Sequence, residues 1–279
     1  MPNFEGGVRK MHVAANDEGD VEYILPIGEH RVGLNALLGK VITIRSLKQI
    51  HCVHCGRKTN KSFSQGYCFP CMRSLAQCDT CIIKPEKCHY EEGTCREPQW
   101  GEDNCLQDHF VYLANTGAVK VGITRHVSEG VSSRWIDQGA TQAMAIYRVK
   151  NRKMSGLVET AIAKHISDKT NWRTMLKGDY ASINLKDTWQ SLKPLVSLEI
   201  DSIVNAFGAD SLTELSSEPV EIGFPVQQHP IKIKSVNLDK VEEIQGTLLG
   251  IKGQYLMFDG DRVFNVRNAS GYSINLAHD

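Results

Sequence analysis

Nine cysteines fall between Cys52 and Cys105, and none occurs elsewhere in the 279 residues. Their order is Cys52-x2-Cys55, twelve residues, Cys68-x2-Cys71, then Cys78-x2-Cys81, Cys88, Cys95 and Cys105. Two thiolates separated by two residues reach one tetrahedral ion from a tight turn, and a second such pair a hairpin away completes the shell. Disulfides are the rival chemistry, and they need an oxidising compartment. The N-terminus MPNFEGGVRKM has no apolar core of a signal peptide, no stretch approaches a membrane span, and nine is an odd count. A cytoplasmic protein with reduced thiols is expected, with Zn2+ on Cys52, Cys55, Cys68 and Cys71.

The second half of the cluster reads CDTCIIKPEKCHYEEGTCREPQWGEDNCLQDH. It offers more ligands than one tetrahedral shell takes. The preferred set is Cys78, Cys81, Cys88 and Cys95, with Cys105, His89 and His109 as alternatives. Zinc is the favoured ion, and four cysteines also suit an iron–sulfur cluster.

Charge is zoned on a chain whose net charge is zero. Lys and Arg minus Asp and Glu give −1 for 1–45, +5 for 46–77, −5 for 78–109, +6 for 110–180 and −5 for 181–279. A basic zone on a neutral molecule is the electrostatic footprint of a phosphate-binding surface. Arg57, Lys58, Lys61 and Arg73 supply it in the ribbon, where Phe63, Tyr67 and Phe69 interleave as stacking surfaces or as a miniature core. Arg125, Trp172 and Arg173 are the corresponding candidates further on. An ordinary solvated face is the plainer account of each.

These residues need elements to position them. The composition, 41% hydrophobic and 23% charged, is that of a soluble globular protein, and the run of strand and helix patterns along it makes the expected class α+β. Residues 1–48 form an N-terminal β region with strands at VRKMHVAA, VEYILPI and KVITIRSL. Residues 49–77 form a zinc ribbon and 78–109 a second metal-binding connector, both folded around their ions. Residues 110–180 hold a hairpin (FVYLA, a turn at 115–117, VKVGIT), a helix over 133–138, the strand AMAIYRVK and a helix opening at Ser155 and running to about Asp168. Residues 181–225 are helical or linker, and 226–279 are a C-terminal β region. The two strand-rich ends are expected to close into one β-barrel, with two independent β units as the alternative.

The stretch Val111-Tyr112-Leu113, then Val119-Lys120-Val121-Gly122-Ile123-Thr124-Arg125, then Arg134, then Glu159 resembles the GIY-YIG endonuclease superfamily over about residues 109–175. The branch it is most similar to carries KVGIT as the second motif. The resemblance implies an α/β unit on a three-stranded antiparallel sheet and phosphodiester hydrolysis with one divalent cation. Tyr112 would arrange the attacking water, Gly122 would let the backbone turn beside the site, Arg134 would stabilise the phosphate, and Glu159 would hold Mg2+ or Mn2+. Phe110 stands where the first motif has glycine, and Lys120 where the second has tyrosine. Arg134 lies across the loop HVSEGVSS, with Arg125 nearer. The cysteine segment joined to this hairpin also resembles a bacterial family of uncharacterised function, over most of the chain.

Three functions remain in play. One is metal-dependent cleavage of nucleic acid, RNA in preference, at Tyr112, Lys120, Arg134 and Glu159. The second is an inactive accessory factor on RNA or the ribosome. The third is a zinc-stabilised protein-interaction scaffold. Ordinary structural roles compete at each residue: Tyr112 as a strand residue, Arg134 pairing with Asp137, Glu159 favoured by the helix dipole, Trp172 closing a helix onto a sheet.

Overall fold

The computed structural model describes residues 2–279 apart from 128, 129, 168 and 179. The chain opens with β1 (Asn3–Gly7), β2 (His12–Ala15), β3 (Val21–Ile27), β4 (His30–Gly33) and β5 (Val41–His51). In β3 the alternating residues Val21, Tyr23, Leu25 and Ile27 are all buried, as a two-residue period on a half-covered sheet requires. The cysteine segment is poor in apolar residues and forms β6 (Lys58–Thr59), three short helices, α1 (Phe69–Ser74), α2 (Thr80–Ile83) and α3 (Pro98–Asn104), and two single 3-10 turns at Ala76–Cys78 and Pro85–Lys87.

The middle of the chain runs β7 (His109–Asn115), β8 (Val119–Thr124), α4 (Ser133–Asp137), β9 (Gln142–Val149), α5 (Arg152–Ile162), α6 (Trp172–Lys177) and α7 (Leu185–Phe207). The remainder is β10 (Leu212–Glu214), β11 (Val220–Glu221), β12 (Lys234–Val236), β13 (Glu243–Lys252), β14 (Tyr255–Phe258), β15 (Arg262–Asn265) and β16 (Tyr272–His278).

The protein is mixed α+β, with three sheets among the described residues. The two ends of the chain do meet, in one sheet ordered β1-β16-β5-β13-β14-β15-β12, with β6 beside β5. The expected barrel does not close. Closure would need β1 to pair with β12. Instead β1 turns toward β3, where the Gly28 amide donates to Gly7 O at 2.9 Å, and β12 is only three residues long. The two edges are blunted by a neighbouring element and by shortness rather than by pairing. The strands β2-β3-β4 form a separate three-stranded antiparallel sheet.

The hairpin region forms the sheet β10-β9-β7-β8, with β11 also on β9. Its kernel of β8, β7 and β9 is the expected three-stranded antiparallel unit, and two short late strands extend it to five. The two faces of β7 serve different cores. Tyr112 and Ala114 join Trp135 and Ile136 of α4 and the terminal-sheet residues Ile42, Ile44 and Leu248. Val111 and Leu113 join Met154, Val158 and Ile162 of α5 and Trp189 and Val196 of α7.

Two local expectations change. Helix α5 begins at Arg152, not Ser155, because the Asn151 side chain caps it by accepting from the Met154 amide at 2.8 Å. Ser155 lies inside the helix, and its hydroxyl donates to Arg152 O at 2.7 Å. The helix ends at Ile162, and its expected end, Asp168, lies outside the described residues. Within the C-terminal β region, the run IKIKSV reads as a strand from its alternation, yet Ile231 to Ile233 precede β12 rather than belonging to it.

Candidate functional site

The first candidate metal centre is built by two knuckles. Cys52 leaves β5 and enters a turn closed by the Cys52 amide on Arg57 O (2.8 Å) and the Gly56 amide on Cys52 O (2.9 Å). Cys68 caps α1 and Cys71 sits in its first turn. The four Sγ atoms of Cys52, Cys55, Cys68 and Cys71 all lie within 4.8 Å of one another, and Cys55 and Cys68 are 3.8 Å apart. With metal–sulfur bonds of about 2.3 Å, the edge of a tetrahedral ZnS4 shell is about 3.8 Å. The donor set and its spacing therefore fit a tetrahedral ion. Burial opposes ionisation of Cys52, but amide donors from Cys55, Cys68 and His54 outweigh it and pull the thiol down to about 6.

The ribbon is tied to both chain ends. Arg9 donates to Val53 O at 2.8 Å, the Ser62 hydroxyl to Ser270 O at 3.0 Å, and Arg267 to the Gln65 side chain at 2.5 Å. Arg57, Lys58, Lys61 and Arg73 are exposed. Lys61 lies over the Phe63 ring (5.6 Å), Arg73 over the Phe69 ring (5.7 Å), and the two rings meet at 5.6 Å. Phe69 is 49% exposed, so this is an open surface of alternating cation and aromatic groups rather than a closed miniature core.

A second constellation centres on the Tyr112 hydroxyl. Tyr112 is fully buried in β7 opposite Gly122 of β8, where an added Cβ would lie 2.5 Å from the hydroxyl oxygen. Only glycine leaves the ring that space. Arg134 and Gln138 are four residues apart, so α4 puts them on one face. With the Gln138 amide turned as its neighbours require, its nitrogen donates to the Tyr112 hydroxyl at 2.8 Å. Its oxygen then accepts from Arg134 Nε at 3.0 Å and a terminal guanidinium nitrogen at 3.2 Å. The opposite orientation would set the amide nitrogen against the guanidinium, donor against donor.

Burial drives the Tyr112 hydroxyl up to about 12, Arg134 pulls it back, and Glu159 of α5 pushes it up again. Arg134 and Glu159 therefore each lie within electrostatic reach of the Tyr112 hydroxyl, although α5 packs on the opposite face of β7. Lys120 is 4% exposed and lies two residues before Gly122, on the same face of β8. Asp137 takes Lys10 at 2.6 Å and Gln254 at 2.8 Å. Sequence reasoning did not single out Gln138. Its i+4 spacing from Arg134 was the available signal.

The other candidates lie elsewhere. Arg125 hydrogen-bonds Asn104 at the end of α3. Trp172 opens α6, stacks on Tyr255 (5.6 Å, 6° between planes) and carries Arg173 over its ring at 4.3 Å. Cys78 stands beside the ribbon, with Arg96, Cys52 and Glu97 as its charged neighbours. Asp79, Cys81 and His89 also approach within 4.8 Å. That group is already satisfied as an ion pair: Asp79 accepts from Arg96 at 2.8 Å and from the Thr80 amide at 2.6 Å, while His89 bonds Thr94 at 2.7 Å. Among the described residues, no helix is long and apolar enough to cross a membrane.

No curated protein and no solved structure matches the chain. A family model described as "Protein of unknown function (DUF2797)" matches residues 39–274, which include every cysteine and the whole Tyr112 constellation, and the chain belongs to that family.

Proposed function

We propose that this protein binds nucleic acid, RNA in preference, and cleaves phosphodiesters at the Tyr112–Arg134–Glu159 constellation with a divalent metal ion, in the manner the GIY-YIG resemblance implies. One observation supports the reading: Arg134 of α4 reaches the hydroxyl of Tyr112 from β7 through Gln138, and Glu159 of α5 lies close enough to raise that hydroxyl electrostatically. The exposed Arg134 guanidinium suits a phosphate whose charge grows in the transition state. The half-buried Glu159 carboxylate suits Mg2+ or Mn2+, which bind through one or two carboxylates and keep water or phosphate oxygens in their remaining positions. Tyr112 stays protonated at neutral pH, so its role is to hold Gln138 and orient water rather than to remove a proton.

Zn2+ in the Cys52, Cys55, Cys68 and Cys71 shell folds the ribbon and holds its cation–aromatic surface in place. Arg57, Lys58, Lys61 and Arg73 then neutralise phosphates while Phe63 and Phe69 offer faces to unstacked bases. A cytoplasmic setting suits these reduced thiols.

A second reading has its own observation. Tyr112 is completely buried and Lys120 nearly so, which favours a phosphate-binding module without hydrolysis. Purified protein incubated with labelled RNA and Mn2+ separates the two. Hydrolysis by the parent chain, reduced at least a hundredfold in Glu159→Gln, supports cleavage. No hydrolysis by the parent chain leaves the binding module, and equal hydrolysis by both proteins places the activity elsewhere.

A further inference from the structure

Strand β2 is the edge of its sheet. In the order β2-β3-β4 it pairs with β3, Val13 lying opposite Tyr23 and Ala15 opposite Val21. The phase of that ladder decides which backbone groups of β2 stay open. The Asn16 amide donates to Asp20 O at 2.9 Å, so Asn16 turns its backbone toward β3. Hydrogen bonding alternates along an antiparallel strand, so Ala14 does the same, while Val13 and Ala15 turn their N–H and C=O groups away. The facing residues agree with this phase. Tyr23 bonds on the side away from β2: its amide donates to Asn35 Oδ1 at 2.9 Å, and its carbonyl accepts from the Leu34 amide at 2.9 Å. Val21 likewise gives its amide to Gly223 O at 2.8 Å. The donors and acceptors of Val13 and Ala15 therefore face outward along the open edge.

We propose that this edge receives an extended, lysine- or arginine-rich segment of a partner protein as an added strand of the β2-β3-β4 sheet.

Three observations support it. The first is space: residues 13–19, α4 and β11 line one groove of about 640 Å³, within the range of ligand sites. The second is its floor. Val13, Ala15, Val131 and Val220 line the groove half-buried, packed on the same core as Ile136 of α4. An added strand sends every second side chain to that face, so the segment should alternate apolar residues with cations. Backbone pairing then supplies affinity and the alternate side chains supply selectivity. Because β2 is four residues long, the paired stretch is short.

The third is charge. Asp17 and Glu18 stand just beyond the end of β2, Glu221 lines the groove from β11, and all three are exposed. Among the described residues lining the groove, none is a lysine or arginine, and the one further titratable side chain is His126. The acids sit on a fixed turn. Asn16 Oδ1 accepts from the Glu18 amide at 3.1 Å and the Asp20 amide at 2.8 Å. The Gly19 amide donates to Asn16 O at 2.9 Å, and the Gly223 amide donates to Gly19 O at 2.9 Å, which fastens the turn beside β11. Glu221 accepts from Gln142 of β9 at 2.8 Å. The rim is thus ordered before a partner arrives, which lowers the cost of binding. Its charge complements a cationic segment and repels phosphate, so the groove is separate from the basic nucleic-acid surface.

The test is binding of a labelled peptide of about seven alternating lysines and valines to the full chain, beside the peptide with glutamate for lysine. The basic peptide should bind at least about tenfold more tightly than the acidic one. Asp17→Lys/Glu18→Lys changes two exposed side chains and should weaken it about tenfold. Hydrogen exchange read by NMR should show the Val13 and Ala15 amides slowed about tenfold by the peptide, with the already paired Ala14 amide little changed. Equal affinity for both peptides, equal affinity in the double variant, no binding at millimolar peptide, or binding without slowed exchange at Val13 and Ala15 would overturn the proposal. Sedimentation without peptide tests the other occupant: a dimer that itself slows those two amides would place a second copy of this chain on the edge and overturn it too. RNA enters none of these measurements, so this proposal and the nucleic-acid reading fail separately.

Discussion

The Tyr112 hydroxyl receives a hydrogen bond from Gln138 in a space that Gly122 leaves open, and a single methyl group there is decisive. In Gly122→Ala the new carbon would stand 2.5 Å from the hydroxyl oxygen of a fully buried ring. The ring must move off Gln138, at a cost of about 1–3 kcal/mol. Urea unfolding reads that loss, and unchanged stability would mean the ring is not held as described. Lys252 gives a pH-dependent prediction. It is 2% exposed between the Tyr180 and Phe224 rings, and burial lowers it from 10.5 to about 8. Between those values the unfolded chain binds more protons than the folded one, so this lysine makes stability rise with pH from about 8 to about 10.5. Lys252→Met removes that increment, read as the difference between the two proteins' urea midpoints at pH 7.5 and pH 10. Residue types were legible where chemistry is spelled by composition, as in the ribbon cysteines. Buried Lys252 and Arg152 were not, because their sequence neighbours look like ordinary strand and helix surface.

Helix α5 links the cysteine connector to the hairpin sheet, and its register matters more than its length. Gly156 faces the 85–87 turn across a gap too small for a side chain. Gly156→Ala is expected to cost about 1–3 kcal/mol through backbone displacement. Hydrogen exchange should show residues 80–105 losing protection before the β7–β9 sheet does. Uniform loss of protection would contradict a separately docked connector. Most of the hairpin was legible. The FVYLA and VKVGIT runs on either side of Asn115-Thr116-Gly117 became β7 and β8, because apolar alternation and a Gly-bearing turn act locally. The start of α5 was misplaced because Asn151 and Ser155 are both good caps, and packing of Met154 into the core decides between them. The barrel failed for a non-local reason, since closure depends on whether two remote edge strands meet.

At the scale of the whole molecule, the four-cysteine ribbon joins the two chain termini to the Tyr112 side of the hairpin sheet. Arg267 bonds Gln65 of the ribbon and shares its electrostatic surroundings with Arg134 and Asp137. The basic zones 46–77 and 110–180, separate in sequence, are therefore linked in space on a chain of zero net charge. Charge zoning was visible in the sequence, whereas the joining of the zones depended on β5 and β16 pairing across more than two hundred residues. The central claim, nucleic-acid binding, is tested most directly by measuring affinity for single-stranded RNA from low to physiological salt. If Arg57, Lys58, Lys61, Arg73, Arg134 and Arg173 all engage phosphates, log K against log salt falls with a slope of about −4. In Lys61→Glu/Arg73→Glu the slope should shallow by about 1.4. Affinity that is absent, or that does not change with salt, would contradict the account.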